Sequence, residues 1–199
     1  MEKGNMAIYR STTYIPPLVR RANNLASQMG YSISCSNQVG RLMQFLVSQY
    51  QSGVIGEIGA GCGCEAAWMI SALAPGTSFF AVEADPALAA VARALFESYP
   101  NVRILQGDWQ SLLRYRPFGL LCTRVQCIPP ESYELLFQAI RPGGVIALGG
   151  LQPQEELPVE VQSNEPDPVR DYWLNDPRLL ATELLVSPNE AVIMASRVG

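Results

Sequence analysis

The spacing of hydrophobic positions changes along the chain. Between residues 16 and 51 apolar residues recur at helical spacing, in two stretches separated by Gly30. We expect two helices here, the first ending at Gly30 and the second capped by Ser36 or Asn37. The chain therefore begins with helical structure before any strand pattern appears.

After residue 52, short apolar runs alternate with helical stretches. The predicted strands are Val54–Ile58, Ser78–Val82, Val102–Leu105, Gly119–Thr123 and Val145–Leu148. The predicted helices between them are Glu65–Leu73, Pro86–Ser98 and Pro130–Ile140, and turns are predicted at 74–76 and 141–144. Near-continuous apolar strands that alternate with helices indicate a parallel sheet that is covered on both faces.

The last fifty residues follow a different pattern. Residues 151–168 are rich in Pro, Glu and Gln, which favours a surface excursion, and Val169–Asn175 is a candidate short helix. Leu179–Val186 and Ala191–Arg197 have the layout of a hairpin and predict antiparallel strands at the edge of the sheet. The fold class is therefore α/β: a Rossmann-like, doubly wound, mostly parallel seven-stranded sheet preceded by two helices.

Length and composition narrow the class of protein. With 199 residues, 48% of them hydrophobic and 16% charged, we expect a single structural domain, with residues 1–52 as an N-terminal helical cap and 53–199 as the Rossmann-like part. The net charge of −4 and the absence of Lys/Arg clusters disfavour a nucleic-acid partner. Because no apolar run suits a membrane helix and Met1–Arg10 does not resemble a signal peptide, we expect a cytoplasmic protein.

The inventory of reactive side chains is short. Five cysteines, an odd number without paired C-x-x-C spacing, predict free thiols. The sequence contains no histidine, which removes the commonest general base and the commonest transition-metal ligand from any mechanism.

A glycine-rich run connects the first predicted strand to the helix after it. Gly59, Gly61 and Gly63 lie where the chain turns sharply at the carboxyl end of the sheet, and where the next helix offers free N–H groups. Such spacing also occurs in plain strand-to-helix turns. The glycines alone therefore leave open whether a ligand binds here.

Acidic and aromatic residues at the next two strand ends favour a ligand. Glu83 is placed to accept hydrogen bonds from both ribose hydroxyls of an adenosine, although a solvated carboxylate is the structural alternative. Asp85 is expected to cap the following helix. Gly107 precedes Asp108 and Trp109, which would lie beside an adenine ring, with a helix cap and core packing as their structural alternatives.

These residues carry a family resemblance. The run from Glu57 to Asp108 resembles the nucleotide half of class I S-adenosylmethionine-dependent methyltransferases, in particular the catechol-type O-methyltransferases. The match includes the acidic residue two before the first glycine, the helix at 66–69, Val82–Pro86 and Arg141–Gly144, and it extends over most of the chain.

The resemblance implies an S-adenosyl-L-methionine site and the residues that form it. Glu57 and Gly59 would face the methionine part, and Asn37 and Gln38 would lie at the entrance. A homodimer is suggested by the resemblance alone. The implied cofactor residues are Glu57, Gly59, Ala60, Gly61, Gly63, Glu83, Ala84, Gly107, Asp108 and Trp109.

The sequence departs from the family at the metal site. Catechol-type enzymes hold a divalent cation through an Asp after the fourth strand and an Asp-Asn pair after the fifth. Those positions are Arg124, Gly149 and Gly150 here, and Cys127 replaces a lysine. Because a guanidinium and two glycines offer a hard cation no side-chain oxygen, we predict no catalytic metal.

The catalytic residues are not determined by the sequence. Arg124 would bring a second positive charge near the sulfonium, so it either turns outward or pairs with an anion, such as a carboxylate of the acceptor. Alignment of acceptor and methyl group can supply much of the rate. Candidates for catalysis are Arg124 and Glu65, and Tyr9, Tyr14, Asp171 and Tyr172 are further candidate bases.

The leading hypothesis is therefore an S-adenosylmethionine-dependent, metal-independent methyltransferase acting on a small-molecule acceptor, at oxygen. An NAD-linked oxidoreductase is an alternative, because Gly59 and Gly61, followed by an acidic residue about 20 positions beyond the loop, also fit a dinucleotide site. Against it, Cys64 replaces the third glycine, and neither Tyr-x-x-x-Lys nor histidine occurs. A third possibility is a non-catalytic descendant that binds S-adenosylmethionine or another nucleoside.

Overall fold

A computed structural model of the chain describes residues 14–31, 35–153 and 167–199. The strands are β1 (Ser52–Ile58), β2 (Gly76–Glu83), β3 (Val102–Gln106), β4 (Phe118–Arg124), β5 (Ile140–Leu151), β6 (Leu179–Ser187) and β7 (Glu190–Arg197). The helices are α1 (Pro17–Gln28), α2 (Asn37–Ser48), α3 (Cys64–Ile70), α4 (Pro86–Phe96), α5 (Tyr133–Ala139) and α6 (Pro168–Asn175). Short 3₁₀ helices lie at Trp109–Tyr115, Val125–Cys127 and Pro130–Ser132.

The seven strands form one sheet in the order β3-β2-β1-β4-β5-β7-β6. The first five strands pair in parallel, whereas β7 pairs antiparallel with both β5 and β6. The order reverses direction at β1, so the carboxyl ends of β1 and β4 flank the point where ligands bind in doubly wound sheets. The predicted fold class, with its antiparallel C-terminal hairpin, is confirmed.

Local capping explains where the helices that flank the site begin. The Ser36 hydroxyl accepts a hydrogen bond from the Val39 amide and caps α2, which resolves the choice between Ser36 and Asn37. The Asp85 carboxylate accepts from the amides of Ala87 and Leu88 and caps α4, as predicted.

The predicted turn at 141–144 is wrong, because these residues belong to a β5 that begins at Ile140. The register of β4 against β5 shifts between Phe118 and Leu120, which accommodates Pro142 without a ladder hydrogen bond. Gly144 passes so close to its neighbour that a Cβ there would lie 2.8 Å from the Phe118 carbonyl oxygen. The sequence of this bulged strand, with Pro and Gly side by side, is therefore typical of a turn.

Three predicted helices are longer than the observed ones. The first, Glu65–Leu73, is observed as α3, which ends at Ile70, where the Ser71 hydroxyl donates to the Ala67 carbonyl. The second ends at Phe96 rather than Ser98. In the third predicted helix, 130–140, the first turn is a 3₁₀ helix in which the Ser132 amide donates a hydrogen bond to the Pro129 carbonyl. The α-helix that follows ends at Ala139.

The helices α1 and α2 share a hydrophobic core with the sheet. Val39 and Met43 of α2 are buried in the same cluster as Ile55 of β1 and Trp68 of α3. The Tyr50 hydroxyl, between α2 and β1, donates to the Gly119 carbonyl at 2.8 Å. The division into a cap and a Rossmann-like part at residue 52 stays a prediction.

At the C-terminal side, α6 begins one residue earlier than predicted and the hairpin strands match their predicted positions closely. The predicted excursion at 151–168 lies mostly outside the described residues, and its first residue closes β5. None of the helices in the described ranges is long and apolar enough to cross a membrane.

Candidate functional site

A cavity of about 310 Å³ lies at the carboxyl ends of β1, β2 and β3. Six of the residues predicted from the sequence line it, together with three that the sequence did not indicate. The predicted ones are Gly59, Glu83, Ala84, Gly107, Asp108 and Trp109, and the others are Ile58, Val82 and Cys127. The fold therefore brings residues from separate stretches of the sequence to one cavity.

The glycine run forms a tight loop over the end of β2. The amides of Gly59 and Ala60 both donate to the Val82 carbonyl, at 2.9 and 3.1 Å. Gly59, Gly61 and Gly63 have φ angles of +84°, +54° and +90°, which L side chains rarely adopt. These conformations require glycine at all three positions of the loop.

Close contacts add a second reason for glycine at two of these positions. A Cβ on Gly59 would lie 2.7 Å from the Cys127 sulfur, and one on Gly63 would lie 2.8 Å from the Phe96 ring. A Cβ on Gly61 would meet nothing within 4 Å. The middle of the loop therefore faces open space.

Glu83 links the loop to the end of β2. Its two carboxylate oxygens accept hydrogen bonds from the Gly61 amide at 2.7 Å and the Asp85 amide at 2.9 Å. Each carboxylate oxygen can accept a further bond, so Glu83 keeps capacity for hydroxyl donors. The side chain therefore orders the loop and lines the cavity.

Asp108 and Trp109 form the wall at the end of β3. The Asp108 carboxylate accepts a hydrogen bond from the Gln110 amide at 2.8 Å and so caps the 3₁₀ helix that begins at Trp109. Trp109 is half-buried and lines the cavity beside Asp108. The capping that we considered as an alternative for Asp108 is thus observed together with its place at the cavity.

Glu57 is a buried carboxyl group beneath the loop. It is only 3% exposed, and its Oε2 atom has no hydrogen-bond partner among the described residues. Burial, followed by the charges of Glu65 and Glu83, raises the pKa of Glu57 well above its usual value. A buried acceptor without a partner costs free energy, so this position is suited to a donor from outside the chain.

Glu65, in the first turn of α3, lies near charged side chains on two strands. Burial raises its pKa to about 7, the positive charge of Arg124 opposes that shift, and Glu190 adds to it. Arg124 ends β4 and Glu190 begins β7. The two catalytic candidates, Glu65 and Arg124, are thus close enough to interact.

The positions that correspond to the family's metal ligands lie together in space. Arg124 is the register partner of Gly149, and a Cβ on Gly150 would lie 3.3 Å from the Arg124 Nε atom. The Gln126 side chain covers Gly150 and donates to its carbonyl at 2.7 Å. These residues do not fit a hard divalent cation, and the described parts of the chain contain no group of three or more His, Cys, Asp or Glu that suits a metal.

The remaining candidates lie in other places. Tyr9 is outside the described residues, and Tyr14 is 71% exposed. Asp171 and Tyr172 are on α6, where the Tyr172 hydroxyl donates to Glu134 of α5. Of the candidate bases that are described, Glu65 is the one next to the glycine loop.

Three predicted cofactor residues of the glycine loop do not line the cavity. Ala60 is buried, the Gly61 amide donates a hydrogen bond to the Glu83 carboxylate, and Gly63 is the N-cap of α3. Cys127 was missed as a lining residue, although it follows β4, which lies next to β1, and ligands gather at such strand ends. The five cysteines are free thiols, as predicted, and burial raises the pKa of Cys64 to about 12.

This topology is that of the class I S-adenosylmethionine-dependent methyltransferases. An O-methyltransferase from Bacillus cereus, solved with S-adenosylhomocysteine, shares it with a TM-score of 0.76, 20% identity and 94% of each chain covered. The O-methyltransferase TomG from Streptomyces achromogenes, solved with S-adenosylmethionine, shares it with a TM-score of 0.75 and 17% identity over 95% of this chain and 93% of that one.

One curated relative is more similar in sequence. A protein-L-isoaspartate O-methyltransferase from Aeropyrum pernix is 32% identical over 126 residues, which cover 60% of this chain and 47% of the relative. The chain therefore spans about half the length of the curated relative that it matches. No family model matches the sequence.

Proposed function

We propose that this protein is an S-adenosylmethionine-dependent methyltransferase that methylates an oxygen atom of a small-molecule acceptor without a metal ion. The observation that carries the proposal is the buried Glu57 carboxyl group, whose Oε2 atom lacks a partner among the described residues beneath a glycine loop that begins at the cavity-lining Gly59. Bound S-adenosylmethionine would bring a methyl group already activated on a sulfonium, together with an ammonium group that can donate to such an acceptor.

The charges around the loop favour this cofactor over a dinucleotide. Glu57, beneath the loop, interacts with both Glu65 and Glu83. Carboxylates attract the sulfonium and ammonium groups of S-adenosylmethionine, whereas they repel the pyrophosphate of NAD. In the proposed complex Glu83 accepts hydrogen bonds from the ribose hydroxyls, and Asp108 and Trp109 hold the adenine.

Transfer to oxygen is supported by the names of the Bacillus cereus and Streptomyces achromogenes proteins and of the curated relative, which are O-methyltransferases. Independence from metal is supported by the side chains of Arg124 and Gln126 at the positions next to Gly149 and Gly150. The net charge of −4 supports a small molecule rather than nucleic acid as acceptor. A cytoplasmic location and a homodimer remain predictions from the sequence.

Isothermal titration calorimetry with S-adenosylmethionine, S-adenosylhomocysteine and NAD tests the cofactor. We expect the first two to bind and NAD not to bind. Replacing Glu83 by Gln should weaken cofactor binding by about tenfold, because a charge-assisted hydrogen bond contributes about 1.5 kcal/mol or more. Glu97→Gln, an equal change at an exposed position beyond the far end of α4, serves as the control and should leave binding unchanged. Binding of NAD alone would refute the proposal.

Methyl transfer is then measured with radiolabelled S-adenosylmethionine against small phenols, carboxylic acids and amines, with and without EDTA. We expect labelled product at oxygen and no loss of rate with EDTA. Loss of activity with EDTA and recovery with Mg²⁺ would contradict the metal-independent part of the proposal. Tight binding of S-adenosylhomocysteine with no transfer to any acceptor would instead favour a non-catalytic binding protein.

A further inference from the structure

Acidic side chains converge at the end of the glycine loop that faces β4 and β7. Glu65 interacts with Glu57 at the end of β1 and with Glu190 at the start of β7. Arg124 is a cation that acts on the same group. Adenosine recognition is expected at the other end of the loop, where Trp109 lines the cavity. The acidic cluster, defined as Glu57, Glu65 and Glu190, contains none of the residues that line the cavity beside Trp109.

A second observation indicates that this cluster faces a ligand. Glu57 is only 3% exposed, and its Oε2 atom has no hydrogen-bond partner in the described part of the chain. Its strongest charged neighbour is Glu65, so the unpartnered carboxyl group belongs to the same cluster. An arrangement of acids that includes an unsatisfied buried acceptor is suited to a ligand with positive charge.

The two forms of the proposed cofactor differ in their charge. Both carry the same adenosine, ammonium and carboxylate groups, but the sulfur of S-adenosylmethionine is a positively charged sulfonium, and the sulfur of S-adenosylhomocysteine is neutral. Any difference between their affinities therefore reports how the protein interacts with that one charge and with the methyl group. An acidic cluster at the methionine end would favour the charged form.

We propose that Glu65, with Glu57 beneath it, makes this site selective for the charged methyl donor over the demethylated product. The proposal rests on the proposed function, because it requires that the site binds this cofactor. Selectivity of this kind promotes release of the product after each transfer. Glu65 acts here as a specificity residue, and the proposal assigns it no bond-forming step.

The selectivity should depend on pH. Burial raises the pKa of Glu65 to about 7, with Arg124 opposing and Glu190 reinforcing the shift. The thiols of Cys35 and Cys122 also face Glu65, and burial keeps their pKa values above the usual one, so they stay neutral at this pH. A sulfonium favours the ionised carboxylate, so binding of the donor lowers the pKa of Glu65 and releases protons near neutral pH. S-adenosylhomocysteine lacks that charge, so its binding releases fewer protons.

Calorimetry of the unmodified protein in two buffers of different ionisation enthalpy measures these protons. Near pH 6.5 we expect S-adenosylmethionine to release about half a proton more than S-adenosylhomocysteine, if the sulfonium lowers the pKa by about one unit. The ratio of the two dissociation constants should change in favour of the donor by about fivefold between pH 6 and pH 8. Equal proton release and a constant ratio would overturn the selectivity proposal while leaving cofactor binding intact.

Two variants assign the effect to this residue. Glu65→Gln removes the charge with little change in shape, and we expect it to abolish both the extra proton release and the pH dependence of the ratio. Glu97→Gln should keep both. Persistence of the effect in Glu65→Gln would refute the assignment to Glu65, and if that variant does not fold, the measurements on the unmodified protein decide. Failure of both ligands to bind would refute the proposed function itself.

Discussion

At the scale of single residues, Glu57 combines a cost in stability with a place at the site. Its carboxyl group is buried and one oxygen lacks a partner among the described residues. Burial and the neighbouring acids raise its pKa, so the carboxyl group keeps its proton up to a higher pH in the folded protein than in the unfolded chain. Such groups cluster at functional sites, because a ligand can supply what the fold does not.

Replacing Glu57 by Gln should change how stability depends on pH. Because the pKa is raised in the folded state, the stability associated with the protonated carboxyl is complete below the unfolded pKa of about 4.3 and is lost as the pH rises toward the folded value. Urea unfolding at several pH values from about 5 to about 8 should therefore show the wild type losing unfolding free energy relative to Glu57→Gln. Glu97→Gln should follow the wild type. Parallel curves for the wild type and Glu57→Gln would contradict the raised pKa.

At the scale of elements, α2 approaches α3 more closely than a side chain would allow. A Cβ on Gly40 of α2 would lie 2.3 Å from the Cδ1 and Nε1 atoms of Trp68 on α3. Trp68 is 1% exposed, so its ring has little room to move. Because α3 begins directly after the glycine loop, this contact connects the N-terminal helices to the site.

Gly40→Ala should destabilise the protein although it improves helix propensity. Alanine gains about 1 kcal/mol over glycine inside a helix, but overpacking a filled core costs about 1 to 3 kcal/mol. We expect a net loss of unfolding free energy in urea. The loss should be smaller when Trp68 is replaced by Phe, whose ring is smaller, and a double-mutant cycle measures that coupling. Additive effects of the two substitutions would show that the contact is not the cause.

At the scale of the whole molecule, the N-terminal helices and the sheet share one hydrophobic cluster. Val19 of α1, Met43 of α2, Phe79 of β2 and Leu120 of β4 are all buried in it. Tyr50, in the connection from α2 to β1, makes two hydrogen bonds to the sheet. Its hydroxyl donates to the Gly119 carbonyl, and its own carbonyl accepts from the Thr77 hydroxyl. This arrangement favours folding as one unit.

We predict one cooperative unfolding transition. The tryptophans report from three places: Trp68 from the contact of α2 with α3, Trp109 from the cavity, and Trp173 from α6. Urea curves from tryptophan fluorescence and from far-UV circular dichroism should coincide within error. A separate early transition would indicate that residues 1–52 unfold independently of the rest.

Much of this fold could be predicted from sequence because its determinants are local. Alternating apolar strands and helices indicated the parallel sheet, and Asp85 with Pro86 marked the start of α4. The strand β5 was predicted too short because Pro142 and the glycines beside it are typical of turns, and only the pairing with Phe118 makes them a bulged strand. Six predicted cofactor residues line the cavity because each follows a predicted strand end.

The tertiary structure alone decided which distant residues meet. Nothing in the sequence indicates that Glu190 interacts with Glu65, because that interaction depends on β7 running antiparallel beside β5. The place of Cys127 against Gly59 depends likewise on β4 lying next to β1. By itself, the sequence determined the elements and the glycine loop, whose signals extend over a few residues. The electrostatics of the site depend on strand order, which no local pattern encodes.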